Sequence, residues 1–265
     1  MKFLELAEYL ERLEKTSSRL EITRILAELF RNSDADEVDK ICYLILGGLA
    51  PGYKGIVFNI AEKVMVNVLA LAYGEDKNKV VEIYKKEGDL GNLAGLLAQK
   101  TISGAWPFLT VNNKQKTNLS VEEVYSKLYE IALDEGEDSV QRKINKTAEL
   151  LASVDPLSAR FLARIPVGKL RLGFSDKTIL DALSWMEAGD KSRKPRLEKA
   201  FQVVPDVGIL AVDVKKMGIE KAVRNVKPII GVPVLPMLAQ RLRSPTEMIE
   251  KMGKVFVEPK FDGLR

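Results

Sequence analysis

Apolar residues recur along this chain at helical spacing and are punctuated by capping signals, so the pattern predicts a succession of short amphipathic helices. Phe3, Leu6, Leu10 and Leu13 share one stripe. After a break at Thr16-Ser17, the capping box Ser18-x-x-Glu21 opens a second helix with Ile22, Ile25, Leu26, Leu29 and Phe30 inward. Asn59-x-x-Glu62 predicts the start of another, running through Val64, Val68 and Leu71 to Gly74, and Ser120-x-x-Glu123 a third that ends near Gly136. Helical patterns also cover 36–46, 77–87, 89–100, 139–153, 156–165, 176–188, 194–202 and 206–217. About a dozen helices with short connections argue for a mainly all-α fold of packed layers. Their lengths are irregular and show no fixed period, which argues against a solenoid.

The pattern changes after Lys227. Pro228 to Pro236 holds three prolines, which exclude helix and favour an extended connector. Pro245 through Met252 then reads as a short helix, and Val255-Phe256-Val257 as a buried strand continuing to Phe261. The expected organisation is a helical domain over 1–226, then a linker and the first strand of a second, truncated domain over 227–265.

Composition narrows the chemistry. With 265 residues, 46% apolar and 29% charged, the chain has the make-up of an ordinary soluble protein. It has no apolar run of the roughly 18 residues that a membrane span needs, so no membrane partner and a cytoplasmic location are expected. Cys42 is the only cysteine, so an intrachain disulfide is excluded and Cys42 is expected to pack as a small apolar residue in a helix. Histidine is absent, which removes Ser-His-Asp and Cys-His catalysis and the zinc hydrolase patterns.

The formal net charge is only +4, but it is unevenly placed. Residues 1–139 hold 17 Lys+Arg against 23 Asp+Glu, whereas residues 140–265 hold 24 against 14. This asymmetry points to a polyanion partner for the second half, a solvated basic face being the alternative. Two stretches are candidates. Arg164 to Thr178 is a basic, glycine-containing loop running into a helix capped by Ser175 or Asp176. Free N–H groups at a helix start, with glycines that let the backbone approach closely, suit phosphate; the same residues read equally as a tight interhelical turn. The second stretch, Lys191 to Lys199, places five cations in nine residues and reads most simply as a solvated face. Few aromatics interleave with these charges, which favours contacts along a duplex backbone over single-strand stacking.

The last candidate is Glu258-Pro-Lys-Phe-Asp-Gly-Leu-Arg265. Strand alternation puts Glu258 and Lys260 on one face. An amine is a nucleophile only when unprotonated, and apolar flanks with Arg265 nearby would favour that in Lys260. An ordinary surface lysine beside an Asp-Gly turn is the other reading.

With these elements in hand, the chain resembles the N-terminal part of an ATP-dependent DNA ligase of the archaeal and replicative eukaryotic type. The matching segments include Leu49 to Gly55, Ala61 to Lys63, Ala70 to Gly74, Gly88 to Gly91 and Leu109 to Val111. Gly168-Lys-Leu-Arg-Leu-Gly173, Thr178 to Leu183, Pro233 to Leu242 and Glu258 to Gly263 complete the set. The resemblance implies a helical domain that grips nicked duplex DNA from the minor-groove side, followed by the opening of a nucleotidyltransferase domain. It implies ATP and Mg²⁺ as cofactors, with Lys260 attacking the α-phosphorus to form lysyl-AMP, Glu258 reading the adenine amino group and Arg265 contacting ribose and phosphate. Lys169, Arg171, Gly173, Lys177 and Thr178 are the expected DNA contacts, in a monomer. At Gln99 to Ser103 the aromatic pair by which archaeal members dock a sliding clamp is missing, which leaves that partner in question.

The family's later motifs and its C-terminal OB-fold are not in these residues, so the expectation is duplex binding without self-adenylation. A non-catalytic DNA-binding or scaffold protein with a vestigial K-x-D-G, and an RNA ligase or capping enzyme, are the alternative readings.

Overall fold

The computed structural model describes residues 1–102, 118–170, 172–236, 241–259, 261 and 263. Among them are fourteen α-helices: α1 (Phe3–Glu14), α2 (Arg19–Asn32), α3 (Val38–Ile45), α4 (Glu62–Tyr73), α5 (Lys77–Glu87), α6 (Leu90–Ile102) and α7 (Val121–Leu133), followed by α8 (Ser139–Ala152), α9 (Pro156–Arg164), α10 (Asp176–Ala188), α11 (Lys194–Val203), α12 (Val207–Met217), α13 (Ile219–Asn225) and α14 (Pro245–Met252). No strand occurs among the described residues; the one β-bridge pairs Lys2 with Ser120. The chain divides into two compact units, Met1–Val234 and Leu235–Arg265.

Local chemistry accounts for most of the boundaries. Ser18 accepts from the Glu21 N–H, and Ser120 with Glu123 forms a reciprocal capping box at α7. Asp155 accepts from the Leu157 and Ser158 N–H groups at the start of α9, where Pro156 takes a position whose N–H would have no helical partner. Two boundaries differ from the sequence pattern. Helix α4 begins at Glu62 rather than at an Asn59 cap, because Asn59 sits at φ 55° and the buried side chains Phe58 and Ile60 hold the preceding segment out of helix. Helix α13 was not foreseen. It is a seven-residue helix, Ile219–Asn225, capped by Gly218, with Ile219 and Ala222 fully buried.

A continuous core runs through the first unit and includes Phe3, Phe30, Cys42 and Phe161. Cys42 packs in α3 as expected, and burial pushes its thiol pKa up. Helix α6 packs most extensively on α9, α2 on α10, α4 on α8 and α3 on α12. The α6–α9 approach depends on Gly91, where a Cβ would meet the Arg164 side chain and stand 2.5 Å from the Arg160 carbonyl. At that contact Arg164, 3% exposed, donates to Asp89 at 3.0 and 2.8 Å and to Glu14 at 3.1 Å. Asp89 also accepts from the Asn92 N–H at the first turn of α6.

The α7–α8 turn is held from outside. Asp134 accepts from Arg142 at 2.6 Å and from Lys146 at 2.9 Å, and these hydrogen bonds lower its carboxyl pKa to about 2.

In the second unit α14 spans Pro245–Met252 as the sequence suggests, and the Ser244 side chain caps it. The buried strand expected at 255–257 is not formed. Val255 is 37%, Phe256 105% and Val257 87% exposed, and residues 255–259 have no ladder partner among the described residues. A strand exists only when a neighbour satisfies its N–H and C=O groups, so alternation alone does not make one.

Two outcomes test this account. Asp89→Ala leaves a buried guanidinium with its principal acceptor removed, and should lower stability by about 3–5 kcal/mol in urea unfolding, whereas Asp89→Leu with Arg164→Met should recover most of that loss. In an NMR titration Asp134 should protonate only near pH 2, so its tie to the turn persists below the ordinary carboxylate range and is lost as pH falls through about 2. Arg142→Gln should move that titration back up.

Candidate nucleic-acid interface

Two interhelical connections lie side by side. One, residues 46–61, joins α3 to α4; the other, residues 165–175, joins α9 to α10. Lys169 pairs with Glu62 at the first position of α4, and the space above Gly47 is bounded by Leu170 at 3.8 Å. Between them is an open depression of about 490 Å³, lined by Gly48, Val57, Asn59, Pro166 and Gly168 among others.

The first connection has apolar anchors and a solvent-facing tip. Leu49, Phe58 and Ile60 are buried, whereas Gly52, Lys54, Gly55 and Asn59 are exposed. A 3-10 turn at Gly52–Lys54 ends in Gly55 at φ 65°. The second connection alternates similarly, with Ile165, Leu170 and Leu172 buried and Gly168, Gly173 and Ser175 exposed. Gly168 and Gly173 adopt φ 65° and 70°, and a Cβ at either would meet no atom within 4 Å. Their glycine character therefore serves the backbone turn and leaves the surface bare for a close approach.

The second connection also forms one wall of a cleft of about 290 Å³ with the α1–α2 junction. Thr16, Ser17 and Arg19 line one side, and Gly173, Phe174 and Thr178 the other. Helices α2 and α10 run parallel here. Their N-terminal residues meet at the cleft, while at the far end Arg31 of α2 donates to the Trp185 and Met186 carbonyls of α10 at 3.0 and 3.2 Å. The positive ends of two helix dipoles thus converge, and the Ser175 side chain makes no capping bond. Arg19 and Lys177, both exposed, sit in the first turns of these helices. Cations there oppose the dipole at a cost of about 0.3–1 kcal/mol each, an arrangement that an external anion relieves. Burial, with the Asp206 charge adding, raises the pKa of Asp176 in the first turn of α10.

The sequence-predicted residues divide accordingly. Lys177 is exposed and makes no ion pair among the described residues, and Gly173 lies on the cleft rim. Thr178 is 8% exposed and forms part of the cleft wall. Lys169 is half-exposed and tied to Glu62. Arg164, read from sequence as part of the basic loop, is instead buried on Asp89 and Glu14, because α6 packs over it. Arg171, Lys260 and Arg265 lie outside the described residues, as does Ser103. Gln99 to Ile102 form the end of α6. Glu258 is exposed in a segment without regular structure.

The 191–199 cluster is largely internal bookkeeping of charge. Lys191 and Lys194 both reach Asp181, at 2.8 and 2.7 Å, while Arg193 and Arg196 both pair with Glu220 on α13. These pairs fasten α11 to α10 and α13. Lys199 alone of the five is exposed and makes no ion pair among the described residues.

The sequence puts Asp206 at the start of a helical pattern and gives no signal for its other partners. Asp206 caps α12 by accepting from the Gly208 and Ile209 N–H groups, and its carboxylate also accepts from Tyr43 at 2.7 Å and Tyr53 at 3.1 Å. Burial and this partner raise the Tyr43 pKa far above the usual phenol range.

Fold and site together describe a helical domain with two adjoining glycine-containing connections and a cleft where two helix N-termini meet. The chain belongs to the DNA ligase family: the family model described as DNA ligase N terminus matches residues 2–184. It is 41% identical over 268 residues to the DNA ligase of Saccharolobus solfataricus, covering all of this chain and 44% of that protein. It is 40% identical over 265 residues to a probable DNA ligase of Dictyoglomus thermophilum, covering all of this chain and 43% of that protein. The chain therefore spans less than half the length of these relatives and corresponds to their N-terminal portion. No helix among the described residues is long and apolar enough to cross a membrane.

Proposed function

We propose that this chain is the duplex-gripping portion of an ATP-dependent, nick-sealing DNA ligase, and that it holds DNA through the cleft at α2 and α10 and the two connections beside it. The observation that carries this reading is the parallel pair of helix N-termini bearing exposed Arg19 and Lys177. Backbone N–H groups, dipoles and cations there suit a row of phosphates. The bare glycines at 168 and 173 let a sugar–phosphate backbone lie against the main chain. The exposed Gly52, Lys54 and Gly55 of the first connection are assigned to the same surface in this reading. Contacts of this kind carry little sequence information and make affinity steeply dependent on salt.

The assignment of Lys260 as nucleophile, with Glu258 and Arg265 on the nucleotide, rests on the motif and on family membership. The described residues form no site for ATP or Mg²⁺. None of those in Leu235–Arg265 is buried, so nothing there encloses an adenine, and no group of three or more metal-ligating side chains occurs among the described residues. The 265-residue chain is expected to bind duplex without taking up AMP from ATP and Mg²⁺; labelled AMP on Lys260 would contradict this.

The binding reading is tested by anisotropy titrations on nicked and intact duplex over a range of salt. Arg171→Ala and Lys177→Ala should each weaken binding and reduce the slope of log K against log salt by about 1. Unchanged slopes in both, with a fall in Lys199→Ala, would move the site to the 191–199 cluster.

A further inference from the structure

The connection between α3 and α4 is sixteen residues long, has only one 3-10 turn of its own, and is held at three separate points by side chains from elsewhere. Near its start, the Tyr125 hydroxyl of α7 donates to the Leu49 carbonyl at 2.6 Å. Burial raises the pKa of that phenol to about 12, so it remains a donor at any ordinary pH. At the tip, the Tyr53 hydroxyl donates to Asp206 at 3.1 Å, and Asp206 is itself fixed by the α12 N–H groups and by Tyr43. Gly208 belongs to the same device, since a Cβ there would collide with the Tyr43 ring. At the far end, Lys143 of α8, 7% exposed, donates to the Phe58 carbonyl at 3.1 Å and the Ala132 carbonyl at 3.2 Å.

Lys143 is the most unusual of the three. A buried ammonium is costly, and the commonest solution is a carboxylate partner. Here its acceptors among the described residues are two backbone carbonyls, one on the connection and one in the last turn of α7. A methionine of similar shape would fill the same volume without the desolvation cost, so packing does not explain the lysine. What the charge adds is a strong, directional hold on the Phe58 carbonyl, in a segment where Asn59 already adopts φ 55°.

We infer that Lys143, together with the Asp206–Tyr53 pair, acts as a positioning residue for polyanion binding, presenting the 52–55 turn in its bound conformation before DNA arrives. Neither group touches the ligand. Lys54 does, and its ammonium already lies 5.6 Å from the centre of the Tyr53 ring, so fixing Tyr53 fixes the cation. Holding a loop in its bound form removes the ordering cost from association. This inference rests on the proposed duplex binding.

The test compares Tyr53→Phe and Lys143→Met with the unaltered 265-residue chain, using a nicked duplex, amide exchange and urea unfolding. The amides to follow are Lys54 and Gly55, which bond to the Pro51 and Gly52 carbonyls at 2.9 and 3.2 Å. Both variants should speed exchange at these amides and weaken duplex binding about three- to tenfold. The salt slope should stay that of the unaltered chain, since no phosphate contact is lost, whereas Lys54→Ala should lower it by about 1. Tyr53→Phe removes one oxygen from a half-buried ring and keeps the test open if Lys143→Met fails to fold. Faster exchange with unaltered affinity would overturn the inference, as would a reduced salt slope in Lys143→Met, which would mean direct phosphate contact. Absence of any duplex binding by the unaltered chain would instead remove the proposed function, and this inference with it.

Discussion

The buried guanidinium of Arg164 is the contact around which the first unit is organised. It ties the end of α9 to Asp89 at the head of α6 and to Glu14 at the end of α1, with Gly91 bare so that α6 can come this close. One side chain thereby fixes three helix termini that are far apart in sequence. The consequence for function is positional. Residue 165 begins the glycine connection, so the direction in which that connection leaves the core is set by an interaction that no ligand touches. A buried ion pair of this kind adds little stability over an apolar replacement, while removing one partner leaves a charge unsatisfied at a cost of about 3–5 kcal/mol. In this fold that penalty falls where the candidate binding surface starts.

The same division of labour recurs at the neighbouring connection. Two of its carbonyls are gripped by Tyr125 and Lys143 and its Tyr53 side chain by Asp206, while its own glycines and Lys54 stay exposed. Loops that long are ordinarily mobile, and backbone without regular hydrogen bonds must find partners or face water. Here the partners are polar side chains on rigid helices. Both connections therefore combine a structural inner edge, satisfied by the core, with an outer edge that has no role in holding the domain together.

Much of the helical framework was legible from periodicity and caps. Lys77–Glu87 and Asp176–Ala188 match the expected limits, and most others fall within two residues, because Asp, Ser, Pro and Gly act locally at helix ends. What was not legible is nonlocal. Nothing in the order of residues connects Tyr53 to Asp206, or Lys143 to the carbonyl of Phe58, and α13 has too few turns to show a period. The 255–257 segment failed for the opposite reason: alternation reports a tendency that only a neighbouring strand can realise. At the site, the glycines and Lys177 were readable as types suited to phosphate, whereas the contribution of Thr16, Ser17 and Arg19 required the parallel packing of α2 on α10.

Charge counting misleads for a related reason. Residues 140–265 carry 24 cations, yet Arg142, Lys146, Arg160, Arg164, Lys169, Lys191, Arg193, Lys194 and Arg196 all face carboxylates of the same chain at ion-pair distance. A paired cation contributes a short-range dipole, and at physiological salt its field is screened within about 8 Å. The densest run in the sequence, 191–199, is also among the most fully paired, and so offers less to a polyanion than its composition suggests. Arg19 and Lys177 stand where two helix dipoles add to their field and no described acidic side chain forms an ion pair with either. The capacity of such a surface to hold a polyanion is set by these few cations and the backbone beside them, and hardly at all by the net charge of the half in which most of them lie.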